Sequence, residues 1–156
     1  MTYSDILIQL LTSFFGTLGF SLLFNIRKNL LLSASIGGCL SWGIFLLVEY
    51  YSGSIFMASF LASAFDALYG EIMARVFKTP ASVFFIPGVV PLIPGSALFN
   101  TCRFALKSDW LMFRTYGFRT LSYALGIACG LCVCWAMWYM FRKMISEILN
   151  KRSEIK

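Results

Sequence analysis

Residues 120–141 read TLSYALGIACGLCVCWAMWYMF, an uncharged run of 22 residues that stops at Arg142 and Lys143. At about 1.5 Å per residue a helix of this length reaches roughly 30 Å, the thickness of a bilayer's hydrocarbon core. Backbone groups in lipid must be satisfied within their own segment, so the run reads as a membrane helix rather than a strand. Four further apolar runs precede it. Residues 81–100 are uncharged and hold three of the chain's four prolines. Residues 55–74 contain Asp66 and Glu71 and are closed by Arg75 and Lys78. Residues 30–48 carry no charge and stop at Glu49, and residues 6–26 stop at Arg27 and Lys28. A polar, basic connector (103–119) and a basic tail (142–156) complete the chain. The expected fold is an all-α integral membrane protein: a single transmembrane domain of about five helices, the fourth broken.

Composition agrees. The 156 residues are 59% hydrophobic and 13% charged, whereas soluble domains carry roughly 25% charged residues. A fold this small cannot hide that much apolar surface, so the excess faces lipid. Little chain is left for an extramembrane domain, and none for a nucleotide-binding fold. The net charge of +6 comes from clusters between apolar runs, which fits membrane-flanking charge and not nucleic acid. Histidine is absent, which removes the commonest general base and metal ligand. Cys129, Cys132 and Cys134 lie among small apolar residues and read as packing, with no metal or cofactor implied. Cys39 and Cys102 have no sequence partner. Residues 1–5 lack the basic segment of a secretory signal, so the first run is expected to be kept as a span.

Five alternating spans put Arg27, Lys28, Arg75, Lys78 and the tail with Arg142, Lys143, Lys151, Arg152 and Lys156 on one side. The positive-inside rule makes that side the cytoplasm, with the N-terminus outside and the C-terminus cytoplasmic. Arg103, Lys107, Arg114 and Arg119 then lie outside. A re-entrant fourth segment would bring them in at the expense of the more basic tail.

Small residues mark where helices touch. Gly126 and Gly130 form a G-x-x-x-G in the last span. Ser33, Gly37 and Ser41 repeat in the second, and Ser59, Ala62, Ser63, Asp66 and Gly70 share one face of the third. Such stripes let backbones approach closely in lipid, either within the bundle or against a partner subunit.

Two features point to chemistry. Residues 86–100 read IPGVVPLIPGSALFN. Pro87, Pro91 and Pro94 remove the helical donors to the carbonyls of Val83, Pro87 and Val90, and Gly88 and Gly95 loosen the backbone further. The helix is expected to break near mid-membrane, which is tolerated only inside protein or along a water-filled cavity. Gly95 or Ser96 would cap the second half-helix, aiming its amides at an anion. Pro87, Gly88, Pro91, Pro94, Gly95, Ser96 and Asn100 are therefore candidate substrate-pathway residues. Asp66 is the second feature. A carboxylate at mid-span costs about 2.5–3.5 kcal/mol, so it needs a partner or water, either as a pathway residue or as a paired structural acid. Glu71 has Arg75 four residues on and reads as an ion pair. Asn25 is either a helix cap or a cavity residue.

With Phe24-Asn25, Phe56-Met57-Ala58-Ser59 and the segment from Ile86 to Ser96, the chain resembles the threonine/serine exporter family over nearly its whole length. In particular it resembles the short membrane protein that matches the C-terminal half of that exporter. The resemblance implies five spans in this half and a bacterial inner-membrane location. It also implies a longer membrane subunit as partner, the pair exporting small carboxylate metabolites. Succinate is the substrate implied for the split form, and threonine or serine for the fused one. It assigns no catalytic residues. A non-transporting scaffold or assembly factor is the alternative, and the proline cluster and Asp66 count against it. An intramembrane enzyme would need a nucleophile with a positioned base, which is hard to assemble here without histidine.

Overall fold

A computed structural model describes residues 3–153, with side chains for residues 3–144, and every regular element among them is helical. Six α-helices follow one another: α1 (Tyr3–Leu23), α2 (Lys28–Ser52), α3 (Ile55–Phe77), α4 (Ser82–Val89), α5 (Gly95–Leu106) and α6 (Trp110–Ser153). A 3-10 turn, Val90–Leu92, separates α4 from α5. Four helices, α1, α2, α3 and α6, are each long and apolar enough to cross a membrane. The fifth candidate span is α4 through α5, bent by 51° at the break. The chain is a multi-pass membrane protein.

Two boundaries differ from the sequence reading. Residues 103–119 are not a connector: the end of α5 and the start of α6 take up all but residues 107–109. Ser108, at φ 56°, closes α5, and the Asp109 carboxylate accepts from the Met112 amide at 3.2 Å to cap α6. At the basic end of the chain, residues 142–153 continue α6 rather than leaving the helix at Arg142. The charges on Lys151, Arg152 and Lys156 lie outside the described side chains. Asn25 resolves as a cap. It sits at φ 53° with the Ile26 amide on the Ser21 carbonyl, ending α1 in a Schellman turn.

The bundle is polar where it packs and apolar where it faces out. The buried residues of α1 are Ser13, Thr17 and Ser21, while Leu7, Leu11 and Phe15 are exposed. Those hydroxyls are short enough to bring α1 close to α2, and each finds a carbonyl: Ser13 donates to Gly38 at 3.1 Å, Thr17 to Ser13 at 2.8 Å, Ser21 to Thr17 at 2.7 Å. In the interior, Phe45, Leu46, Ala58, Ala62 and Leu92 form the main apolar cluster.

Cross-helix contacts fix the direction of each crossing. Leu10 meets Cys39, and Ser33 and Ser41 meet Tyr69 and Asp66, so α1, α2 and α3 alternate. On α3 and α6 the numbers rise together. Gly126 faces Phe56 and Ser59, Gly130 faces Phe60 and Ser63, and the Arg75 guanidinium lies 4.1 Å above the Trp138 ring. These two helices run parallel, so the chain must return across the bundle between them. That return is α4 and α5. The fourth segment therefore traverses rather than re-enters. One end of the bundle gathers Arg27, Lys28, Arg75, Lys78, Arg142 and Lys143, and α1 starts at the other.

Gly126, Gly130, Ser59 and Ser63 thus lie against one another within this chain. A Cβ on Gly130 would run into Ser63 Oγ and the Phe60 carbonyl, and one on Gly126 would come within 2.8 Å of the Phe56 carbonyl and Ser59 Cβ.

Candidate functional site

The break begins inside α4. Pro87 and Gly88 are buried there, and a Cβ on Gly88 would overlap Asp66 Oδ1. Only a glycine lets the broken helix press this closely on α3. Asp66 is fully buried at the midpoint of α3, eleven residues from each end. The joint is therefore near mid-membrane. The two sequence candidates, the proline segment and the acid, are brought together. Ser41 of α2 donates to Asp66 Oδ1 at 3.1 Å, and Oδ2 has no hydrogen-bond partner. Among the described residues no basic side chain pairs with Asp66. Glu71 and Arg75, 3.6 Å apart, pair with each other.

The carbonyls expected to be free are partly recovered. The Pro87 carbonyl accepts from the Val90 amide and the Val90 carbonyl from the Ile93 amide, tightening the backbone into the 3-10 turn. Leu92, 1% exposed, anchors that turn in the apolar cluster. Ile93 is extended, and Pro94 is the N-cap of α5 with no side-chain cap bond, in place of the Gly95 or Ser96 cap expected. The first amide of α5 to find a helical acceptor is that of Leu98, on the Pro94 carbonyl. The amides of Ser96 and Ala97 are therefore the open donors.

Those donors border a cavity of about 270 Å³ lined by residues 92–97, Asn100, Trp42, Tyr116, Arg119 and Tyr123. Pro94, Gly95, Ser96 and Asn100 meet here. Asn100 Nδ2 donates back to the Ser96 carbonyl at 2.9 Å. One wall is an aromatic stack, Trp42 on Phe45 at 4.9 Å and Phe45 on Tyr123 at 5.6 Å between ring centroids. Arg119 and Glu49 both lie in electrostatic range of the Tyr123 hydroxyl, and Glu49 does not line the cavity. Arg119 is the one charged residue among the lining.

Pro91 belongs elsewhere. With Val90 it faces a second cavity of about 220 Å³, bordered by Gln9, Thr12, Ser13 and Gly16 of α1. Trp42 lines both cavities, and its Nε1 is buried without a partner. Pro87, Gly88 and Asp66 line neither of these cavities.

Arg119, Trp42 and Tyr123 were not distinguished in the sequence. Arg119 was hidden in a stretch read as a connector. The two aromatics sit in apolar runs where most neighbours are also large and hydrophobic.

Chemically, the larger cavity offers backbone amides at a helix N-terminus, a guanidinium and aromatic faces. That is a set for a small organic anion. A family model described as Threonine/Serine exporter, ThrE matches residues 9–137, which includes the whole break and most of the apolar length of α6. No curated protein and no solved structure matches the chain.

Proposed function

We propose that this chain, which belongs to the threonine/serine exporter family, is one membrane subunit of a two-component exporter of small carboxylate metabolites. A longer membrane subunit of the same family completes the exporter. The observation that carries the reading is the cavity at the break: Arg119 and the open amides of α5 face it, and no acidic residue lines it. A carboxylate leaving water is stabilised by a helix N-terminus by about 0.3–2 kcal/mol, and more by a guanidinium. An amino acid also brings an ammonium group, for which this lining has no carboxylate. The lining therefore favours a succinate-type dicarboxylate over threonine or serine.

Release of labelled succinate, threonine and serine from cells carrying this protein with and without the longer subunit tests the reading. Succinate efflux is expected only with both. Arg119→Gln removes a charge-assisted hydrogen bond, worth about 1.5–3 kcal/mol, and is expected to lower efflux roughly tenfold to a hundredfold at equal abundance. Efflux of threonine but not succinate would overturn the substrate assignment. Unchanged efflux in Arg119→Gln would remove the cavity from the route.

The basic end of the bundle, with Arg27, Lys28, Arg75, Lys78, Arg142 and Lys143, is assigned to the cytoplasm of a bacterial inner membrane, and the start of α1 to the outside. A reporter fused after Lys156 is expected to be active only as a cytoplasmic fusion. Activity of a periplasm-dependent reporter at that position would invert the assignment.

A further inference from the structure

We propose that Asp66 is a proton-binding site built into the joint of the broken span. The joint is seated against α3 while the carboxyl is neutral and is released when the carboxyl ionises. The first ground is the poverty of its surroundings. A carboxylate held ionised inside protein is normally met by a cation or by two or three donors. Asp66 has one donor within reach, the Ser41 hydroxyl, whose single proton the Gly37 carbonyl also draws at 2.9 Å, and its Oδ2 is buried with none. The second is the close approach of Gly88, where an added Cβ would overlap Asp66 Oδ1 and come within 3.0 Å of Oδ2.

Among the described residues, no other side chain bonds or pairs with Asp66. Of the elements packed around α3, α2 presents Ser41, and α4 presents the backbone of Gly88. The titratable side chains nearest along these helices are engaged elsewhere. Cys39 donates to the Leu10 carbonyl at 3.5 Å, and the Tyr69 hydroxyl to the Ser33 carbonyl at 2.7 Å. On α6, Cys134 is a half-buried free thiol, and Glu71 of α3 pairs with Arg75. Burial of an uncompensated charge is expensive at this depth. In the seated arrangement the carboxyl therefore keeps its proton. Moving Gly88 aside admits water, and the O–H bond of the acid breaks to give the carboxylate and a hydrated proton. Because Gly88 is joined through the 3-10 turn to Pro94 and the open amides of α5, the same movement re-aims the anion-facing end of the cavity. A proton taken up on one side of the membrane and lost on the other would then be tied to the passage of the carboxylate. That last step rests on the exporter reading, whereas proton binding does not.

Infrared difference spectra of the purified protein in lipid nanodiscs, collected across a pH series, test the binding step. A carboxylic-acid C=O band is expected at neutral pH in the native protein. It should be absent in Asp66→Asn and displaced to higher frequency in Ser41→Ala, which keeps the acid but removes its donor. Absence of any Asp66-dependent acid band would overturn the proposal. So would a band abolished by sodium at constant pH, which would make this a metal-cation site. In vesicles holding both subunits, succinate movement is expected to follow an imposed pH difference in the native protein and to lose that dependence in Asp66→Asn. Persistence of the dependence would overturn the coupling. A native pair that shows the band and moves no carboxylate would remove the exporter reading and leave the proton site standing.

Discussion

Gly88→Val is expected to bring export to background while the protein still inserts. Its first added carbon would overlap Asp66 Oδ1. Asp66 has little room to yield, because it is fully buried with Ser41 also against Oδ1. Overpacking of this kind costs about 1–3 kcal/mol, and the cheapest relief is for α4 to move off α3. That displaces the 3-10 turn, draws Leu92 from the apolar cluster and reorients the start of α5. Efflux with the longer subunit present, normalised to membrane abundance, is the measurement. A second comparison separates packing from chemistry. In Gly88→Ala combined with Asp66→Ala the collision is gone, so abundance should recover, but efflux should remain lost. Recovery of efflux in that double variant would mean that the acid matters only by its size. Normal efflux in Gly88→Val would mean that the joint is not part of the route.

Gly130→Leu combined with Gly126→Leu is expected to remove the protein from the membrane fraction. Both glycines lie against the backbone of α3, near the Phe56 and Phe60 carbonyls and the Ala64 amide. Backbone cannot rotate out of the way as a side chain can. Forcing α6 away loses the close packing that takes the place of a hydrophobic drive in lipid. At about 1–3 kcal/mol per site, the pair consumes much of a typical domain's stability of about 5–15 kcal/mol. Gly19→Leu is the control: space beside Gly19 is open, so abundance should stay near native. Quantitative blotting of membranes decides the matter. Full abundance of the double variant with selective loss of the longer subunit would assign these glycines to the intersubunit contact instead.

Much of this architecture could be read from residues alone, for a physical reason. In lipid, hydropathy and helix length are one constraint, so apolar runs place the crossings, and three prolines in eight residues place the break. What escaped is relational. A stripe of small residues announces a close neighbour but not which one, so Ser59 and Ser63 could not be matched to Gly126 and Gly130. Charge ended the last run at Thr120 on paper, yet the helix begins at Trp110 because Asp109 caps it, and Arg119 becomes a cavity residue as a result. The free carbonyls expected at Pro87 and Val90 were partly illusory, since proline removes one donor but a 3-10 turn supplies another one residue nearer. The acid and the break were each visible; their contact through Gly88 was not.

The parallel course of α3 and α6 sets a parity rule for joining this subunit to another. With five crossings, α1 starts at one membrane face and α6 finishes at the other. A second polypeptide fused ahead of α1 by a short linker must end on the face away from the basic cluster. One fused behind α6 must begin on the face that carries it. For any given companion whose own ends are known, at most one order of fusion preserves both topologies unless its ends also lie on opposite faces. Single-chain versions of the pair thus amount to a wiring problem with few solutions, and the order that transports reports where the companion's ends lie.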